Sequence, residues 1–390
     1  MLNKTIILLG VDSYKKRVTN KIRRHYPYLK SKSFTPNRND TFEQIVEKIK
    51  KHDPIAILNR GEEFIELHSR LVDHFQLPGP SYSAIKLFRD KAFFHKMMVK
   101  NDLSKYRPQT AFTTLKNLAE DLQRANFPVV IKPYQGAKSR GVSVLNSPDD
   151  LTEQIIKTLR DHFANEPSLQ DKDEQKILIE EFIVGQQITS TSYVDHKGKL
   201  HTLGFIDVLD GRDFGATHQQ LISRTTPSYY SYDVKNQIIN LLQKLVDISG
   251  LRSTFIHPDF IVSPDEKIRL IEINARMGGL RYEMSKYSSG IDLDLSAIQL
   301  SLGEMPNDKS KKHFSCTGID VWSEETGIIK KIKIAENPHV VKSTVYLNDG
   351  DQHVPPPLGN QQLARIYIKS GSDSFTIAKK LLRKTKIVIK

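Results

Sequence analysis

Short apolar runs alternate with helix-spaced stretches along the first part of the chain. Residues 5–11, Thr-Ile-Ile-Leu-Leu-Gly-Val, form a run suited to a strand buried on both faces. A basic, helix-compatible stretch follows. Residues 42–51 carry apolar side chains at helical spacing, 54–58 read as a second buried strand, and 62–75 as a further helix. Leu77-Pro-Gly-Pro80 then breaks the pattern and marks a domain edge. Gly10, alone after the first strand, is too weak a signal for a dinucleotide fingerprint.

The next stretch is more mixed. The spacing predicts a helix from Ser83 through Asp90-Lys91 to about Val99, and another over 117–125. Phe127-Pro-Val-Val-Ile-Lys132 is a strand ending in lysine, and 142–145 is its return. Between them lies Pro133-Tyr-Gln-Gly-Ala-Lys-Ser-Arg-Gly141. Its small residues can form a backbone anion nest, to which Lys132, Lys138 and Arg140 add charge. Taken alone, the segment reads equally as an ordinary hairpin with a wet tip. Lys176-Ile-Leu-Ile-Glu-Glu-Phe-Ile-Val-Gly185 is a strand that breaks at glycine. Polar and apolar residues then alternate through 188–194 and 200–207, as in an antiparallel sheet with one wet face. Residues 210–218 read as a mobile loop near the substrate, and 232–250 as a helix capped by Gly250. From about 310 onward the pattern is α/β, with a final basic helix. No internal repeat or low-complexity tract is present.

The chemistry concentrates near residue 260. Phe260-Ile-Val, a polar turn at 263–267 and Ile268-Arg-Leu-Ile-Glu-Ile-Asn-Ala-Arg276 form two strands around a turn, with Asp259 just before the first. Residues two apart on a strand share a face, so Glu272, Asn274 and Arg276 point one way and Ile271, Ile273 and Ala275 the other. A hairpin would bring Asp259 alongside Glu272. Hard oxygen ligands beside one fixed positive charge suit Mg2+ that also carries nucleotide phosphates. The competing reading is an edge hairpin with a wet polar face. That reading does not account for two acids and an amide followed by Arg276-Met-Gly-Gly279.

Composition adds limits. A chain of 390 residues accommodates two or three domains. The 58 Lys+Arg against 45 Asp+Glu give a formal net charge of +13. Much of that excess lies in short runs such as 309–312 and 379–386, without the interleaved aromatics of a nucleic-acid surface; they read as solvated faces. The single cysteine, Cys316, excludes an intrachain disulfide and fits a reducing compartment. The apolar start lacks a signal-peptide cleavage site and runs into Asp12 and a basic stretch, and no later segment has the length of a membrane span. The expectation is a soluble, cytoplasmic protein with no nucleic-acid or membrane partner.

In this order and approximate spacing, Asp90-Lys91, the strand ending in Lys132 with its flap, Ile-Glu-Glu-Phe-Ile183 with Gly185, and Asp259 with Glu272-Ile-Asn274-Ala-Arg276 resemble the ATP-grasp superfamily. Within it, the chain looks like the carboxylate–amine ligases related to biotin carboxylase and bacterial L-amino-acid ligases. The resemblance covers roughly the whole chain and implies an α/β (α+β) ATP-grasp fold. Residues 1–82 would be a Rossmann-like domain preceding the grasp, 83–185 the small lobe and hinge with its flap at 133–141, and 186–390 the large lobe.

Position by position, the resemblance implies that Lys91 and Lys132 bind ATP phosphates, with Lys138 and Ser139 of the flap also at the nucleotide. Glu180, Glu181, Phe182 and Ile183 would meet adenine, with Glu180 near the exocyclic amine. Gln187 stands where a ribose-binding glutamate is usual; it accepts a hydrogen bond without carrying the charge. Asp259, Glu272 and Asn274 match the magnesium ligands, with Mn2+ able to substitute, and Arg276 matches the arginine over the reacting carboxylate. Gly278 and Gly279 would shape the carboxylate pocket. Arg281 reads either as a partner for a second acid on a substrate or as a surface ion pair. His218 and His257 are candidate bases for the amine, or structural histidines.

The implied reaction transfers the γ-phosphoryl group of ATP to a carboxylate, giving an acyl phosphate that an amine attacks to form an amide, with release of ADP and phosphate. Lys132 and Arg276 would be the catalytic cations, and an amino acid is a plausible substrate. The alternatives are a catalytically silent ATP-binding or regulatory protein, and a ligase of this fold using another nucleophile, as in carboxylases or acid–thiol ligases. The partners expected are a small-molecule carboxylate and amine, and a second copy in a homodimer.

Overall fold

The computed structural model describes residues 4–10, 14–134, 141–164, 175–216, 221–310, 312–355 and 362–390. The chain forms two compact units, one from segments 1–86, 186–259 and 273–390, the other from 87–185 and 260–272. Among the described residues no helix is long and apolar enough to cross a membrane.

The first unit begins with β1 (Thr5–Leu9), α1 (Lys15–His25), β2 (Lys30–Phe34), α2 (Phe42–Lys50), β3 (Pro54–Leu58) and α3 (Ile65–Phe75). The strands pair in parallel in the order β2-β1-β3. Crossover helices cover both faces of such a sheet, which is why β1 is buried at every position. Its alternation sorts the core into two clusters. Ile6 and Leu8 pack with Val18 and Ile22 of α1, whereas Ile7 and Leu9 pack with Ile45, Ile49 and Leu71. The central strand follows the apolar run, but β2 does not announce itself: its Lys-Ser-Lys-Ser-Phe is exposed or half-buried, as an edge strand can be.

Helix α4 (Tyr82–Arg89) leads into the second unit, which holds α5 (Lys91–Lys100), β4 (Thr110–Thr114), α6 (Leu118–Leu122), β5 (Val129–Pro133), β6 (Ser143–Leu145), α7 (Glu153–Ala164) and β7 (Lys176–Glu181). The single helix expected over 83–99 is therefore two. Asp90 takes an extended backbone and its carboxylate accepts the Phe93 N–H at 2.8 Å, starting α5 anew. The four strands form an antiparallel sheet in the order β4-β7-β5-β6. Val129, Ile131, Ile177 and Ile179 pack on one face against Leu118, Leu159 and Phe163. Alternation turns Lys132 and Glu180 to the other face. Past β7, Gly185 lies so close to the chain at Val262 that a Cβ there would stand 2.2 Å from the Val262 carbonyl oxygen. Only glycine fits.

Beyond Gly185 the chain continues with β8 (Gln186–Val194), β9 (Leu200–Asp210), β10 (Leu221–Thr226), α8 (Tyr232–Ser249), β11 (Thr254–Val262), β12 (Ile268–Asn274), α9 (Arg281–Ser288), α10 (Leu293–Ser301) and β13 (Ser315–Val321), residues 260–272 belonging to the second unit and the rest to the first. There follow β14 (Gly327–Lys333), β15 (Val340–Val345), β16 (Gln352–His353), β17 (Ala364–Ser370), α11 (Ser374–Lys384) and β18 (Lys386–Ile389). The large sheet runs β12-β11-β8-β9-β10-β13-β17-β15, and a small one β16-β14-β18. The chain thus closes on a strand after the basic helix, with Lys333 opposite Lys386, rather than on the helix itself. The wet face expected for residues 188–194 is absent: every residue from Ile188 to Val194 is buried. Its hydroxyls are satisfied internally, Thr189 donating to the Pro258 carbonyl at 2.6 Å and Ser192 to Thr202 at 3.2 Å.

Helix α10 is tied to the N-terminal strands. Asp294, 0% exposed, accepts from Arg60 at 3.0 Å and from the Nε and Nη2 of Arg17, one edge of that guanidinium. Ile298, one turn on, joins the cluster of Ile6 and Leu8.

Candidate functional site

In the second unit, cations gather on the polar face of the β4-β7-β5-β6 sheet. Lys132 on β5 and Glu180 on β7 form an ion pair of 2.6 Å, and Arg107, just before β4, reaches the other oxygen of Glu180 at 3.3 Å. All three are buried. The guanidinium Nε of Arg107 is buried with no partner among the described residues. Lys91, the first residue of α5, donates to the Tyr134 carbonyl at 2.9 Å. Burial, and next the charge of Lys132, draw the Lys91 ammonium down to about 8, against the opposing pull of Glu272 and Glu180. Three cations thus share few carboxylates in a poorly hydrated place, which is an environment prepared for an anion.

In the first unit the polar groups stand on the neighbouring strands β11 and β8. Asp259 on β11 accepts from the Gln187 amide of β8 at 2.9 Å and lies 3.6 Å from His257 Nε2. Burial raises the Asp259 carboxyl above its ordinary range, opposed by Arg281, the Gln187 hydrogen bond, Arg224 and Arg276. The same burial, reinforced by Arg281, Arg276 and Arg224, holds His257 far below the ordinary imidazole value, so it is neutral and a weak base. Gly278 makes room for that ring: a Cβ there would lie 2.9 Å from two of its carbons. Asn274, at the end of β12, is half-buried, and Glu272, two residues earlier on the same face, is exposed.

Arg276 is ion-paired with Glu62 from the loop after β3 and donates to the Met277 carbonyl at 3.2 Å. A cavity of about 40 Å3 reaches it, lined in part by Asn59, Arg60, Phe255 and Met277. Such a space holds a water or two, not an amino acid. Arg281, at the start of α9, is 3% exposed rather than a surface residue; it donates to Thr189 Oγ1 at 3.0 Å.

Glu181 and Phe182 make backbone bonds that extend the sheet, to Gln109 and Pro128 carbonyls, and Ile183 is half-buried. The Glu180 side chain is committed to Lys132 and Arg107. Gly279 is exposed. Lys138, Ser139, Arg140 and His218 lie outside the described residues. Among the described residues no group of three or more His, Cys, Asp or Glu side chains is disposed to hold a metal ion. The expected trio supplies two carboxylates and an amide, enough for a Mg2+ that arrives on phosphates, for which one or two carboxylates suffice. Sequence reasoning missed Arg107, Glu62, Arg224 and Thr189. Arg107 stood in view beside Pro108, but nothing local reveals that β4 and β7 set it beside Glu180.

Residues 125–283 match the family model of the ATP-grasp domain. The chain carries an ATP-grasp domain. The D-alanine–D-alanine ligase of Azobacteroides pseudotrichonymphae genomovar. CFP2 is 25% identical over 208 residues, covering 50% of this chain and 60% of that ligase. The chain therefore matches somewhat under two thirds of that relative's length. Among solved structures, an L-amino acid ligase from Bacillus licheniformis superposes with a TM-score of 0.82 at 14% identity, over 100% of both chains. The biotin carboxylase domain of Hydrogenobacter thermophilus 2-oxoglutarate carboxylase, solved with MgADP, superposes with a TM-score of 0.69 at 15% identity, over 100% of this chain and 92% of that one. The ATP-grasp fold thus extends across the chain, beyond the matched domain.

Proposed function

We propose that this protein is an ATP-dependent carboxylate–amine ligase that forms an amide or peptide bond between small molecules, an amino acid among them, and releases ADP and phosphate. The observation that carries the reading is the gathering of half-buried Lys91 with buried Lys132 and Arg107 around the single carboxylate of Glu180, with Lys91 drawn down to about 8 by burial and by the charge of Lys132, a cost that phosphate would relieve. The likeness to D-alanine–D-alanine and L-amino acid ligases supports amide formation as the reaction.

ATP enters as a substrate. Lys91, Lys132 and Lys138 of the flap neutralise its phosphates, Ser139 of the flap donates a hydrogen bond to them, and residues 180–183 with Gln187 receive the nucleoside. Asp259, Glu272 and Asn274 would hold magnesium (or Mn2+), which when bound would supply the remaining charge neutralisation for the phosphates. Arg276 leaves Glu62 for the substrate carboxylate and steadies the oxyanion as the amine attacks; losing such a donor costs about 100-fold or more in rate. Gly278 and Gly279 line the carboxylate side.

The test supplies amino acids pairwise and follows ADP release, with Glu272→Ala as the blank. Release is expected only when a carboxylic acid and an amine are both present. Equal turnover by Glu272→Ala, or ADP release indifferent to the amine, would refute the reading.

A further inference from the structure

Three arginines stand close enough to His257 for their charges to depress it: Arg224 on β10, Arg276 after β12, and Arg281 opening α9. Two of them have acids. Arg224 reaches Asp320 at 3.4 Å, and Arg276 is paired with Glu62. Arg281 does not. Its one acceptor is the neutral Thr189 hydroxyl, whose own proton is given to the Pro258 carbonyl. Its Nε and Nη1 are buried without a hydrogen-bond partner among the described residues, and so is the neighbouring His257 Nδ1. A guanidinium 3% exposed with two idle donors is costly to keep, because those donors have given up hydration and no acceptor among the described residues replaces it.

The surrounding backbone favours the same kind of guest. Leu280, in the left-handed region at φ 63°, turns the chain so that Arg281 is the first helical residue of α9, and it offers that helix no side-chain cap. The positive end of α9 therefore lies beside the arginine whose Nε and Nη1 lack acceptors among the described residues. Gly278, pressed against the His257 ring, keeps the approach free of a side chain.

We propose that Arg281, with His257 and the first turn of α9, receives an oxyanion, a carboxylate or phosphate group separate from the carboxylate that Arg276 engages. This extends the ligase reading. The anion is either a second acidic group on the substrate, making that substrate a dicarboxylic acid, or the phosphate transferred to it.

The test needs neither nucleotide nor turnover. Inorganic phosphate, glutarate and acetate are titrated into the full-length protein by calorimetry, and melting temperature is followed alongside. Wild type is compared with Arg281→Met, Arg281→Lys and the exposed control Lys286→Met. Wild type is expected to bind phosphate or glutarate and to be stabilised by it, and to ignore acetate at the same concentration. Arg281→Met should lose that affinity by about 10-fold to 100-fold; because it also removes a charge that steadies Asp259, the anion-induced rise in melting temperature is read against each variant's own anion-free value. Arg281→Lys keeps the charge but not the fork, and should bind more weakly than wild type. Glutarate preference assigns the anion to the substrate; phosphate preference assigns it to the transferred group. The proposal is overturned if wild type binds neither probe, or if both Arg281 variants bind as wild type does. Failure of ADP release with anion binding intact would sink the ligase reading alone.

Discussion

Replacing Lys132 by methionine separates its service to the fold from its service to a ligand. The Lys132 side chain is 11% exposed and Glu180 3%, and they meet at 2.6 Å. Breaking a buried pair from one side typically costs about 3–5 kcal/mol, because the remaining charge is stranded. Here Arg107 still reaches Glu180 at 3.3 Å, and a charge-assisted hydrogen bond retains roughly 1.5–3 kcal/mol. The expected net loss is therefore about 2–3 kcal/mol. Adding Glu180→Gln removes the stranded charge and should return stability to within about 1 kcal/mol of wild type. Because two units need not unfold together, the suitable readout is hydrogen exchange at the β5 and β7 amides rather than one melting curve. Binding of a non-hydrolysable ATP analogue, measured on the same samples, should be weakened in both the single and the double variant. If the double variant regains nucleotide affinity along with stability, Lys132 only neutralises Glu180 and its assignment to phosphate is wrong. Unchanged exchange in Lys132→Met would refute the energetics.

Two further predictions concern protons. Lys91, at about 8 when folded and 10.5 otherwise, binds fewer protons in the folded state across that window, so it makes stability rise with pH from about 8 to 10.5 and adds no slope below. Phosphates should restore its proton. At pH 8, nucleotide binding is expected to take up about half a proton, seen as buffer-dependent heats in calorimetry, and Lys91→Met should abolish that uptake. Asp207, 7% exposed and raised to about 6 by burial, binds protons more tightly folded than unfolded. Stability is therefore lost as pH rises from about 4 through 6, and Asp207→Asn should be the more stable form by roughly 1–3 kcal/mol at pH 7, with parity below pH 4; denaturant titrations at the two pH values decide it.

The parts of the fold that were legible have strong period or punctuation. The apolar run of β1 is buried on both faces, as an unbroken run predicts, and the strand ending in Lys132 packs Val129 and Ile131 on one face and turns Lys132 to the other by alternation. Edge and closing strands were not legible, since β2 and β18 are half exposed and need no apolar face. Polar β8 misled in the other direction, because its hydroxyls are satisfied inside the sheet and burial costs them little. For the candidate site, residue types on one ribbon could be read, but their partners could not. Arg276 meets a residue 214 positions away and Arg107 one 73 away, and no local pattern encodes such pairings.

The anchoring of α10 bears on how this chain is made. Arg60 emerges from the ribosome 234 residues ahead of Asp294. At about 5–20 residues per second that is a wait of roughly 10–50 s, during which the face holding Ile6 and Leu8 lacks Ile298 and two guanidinium groups lack their acid. The N-terminal strands would spend that interval half finished, which makes them a natural client for a holding chaperone and a poor choice for expression as an isolated fragment.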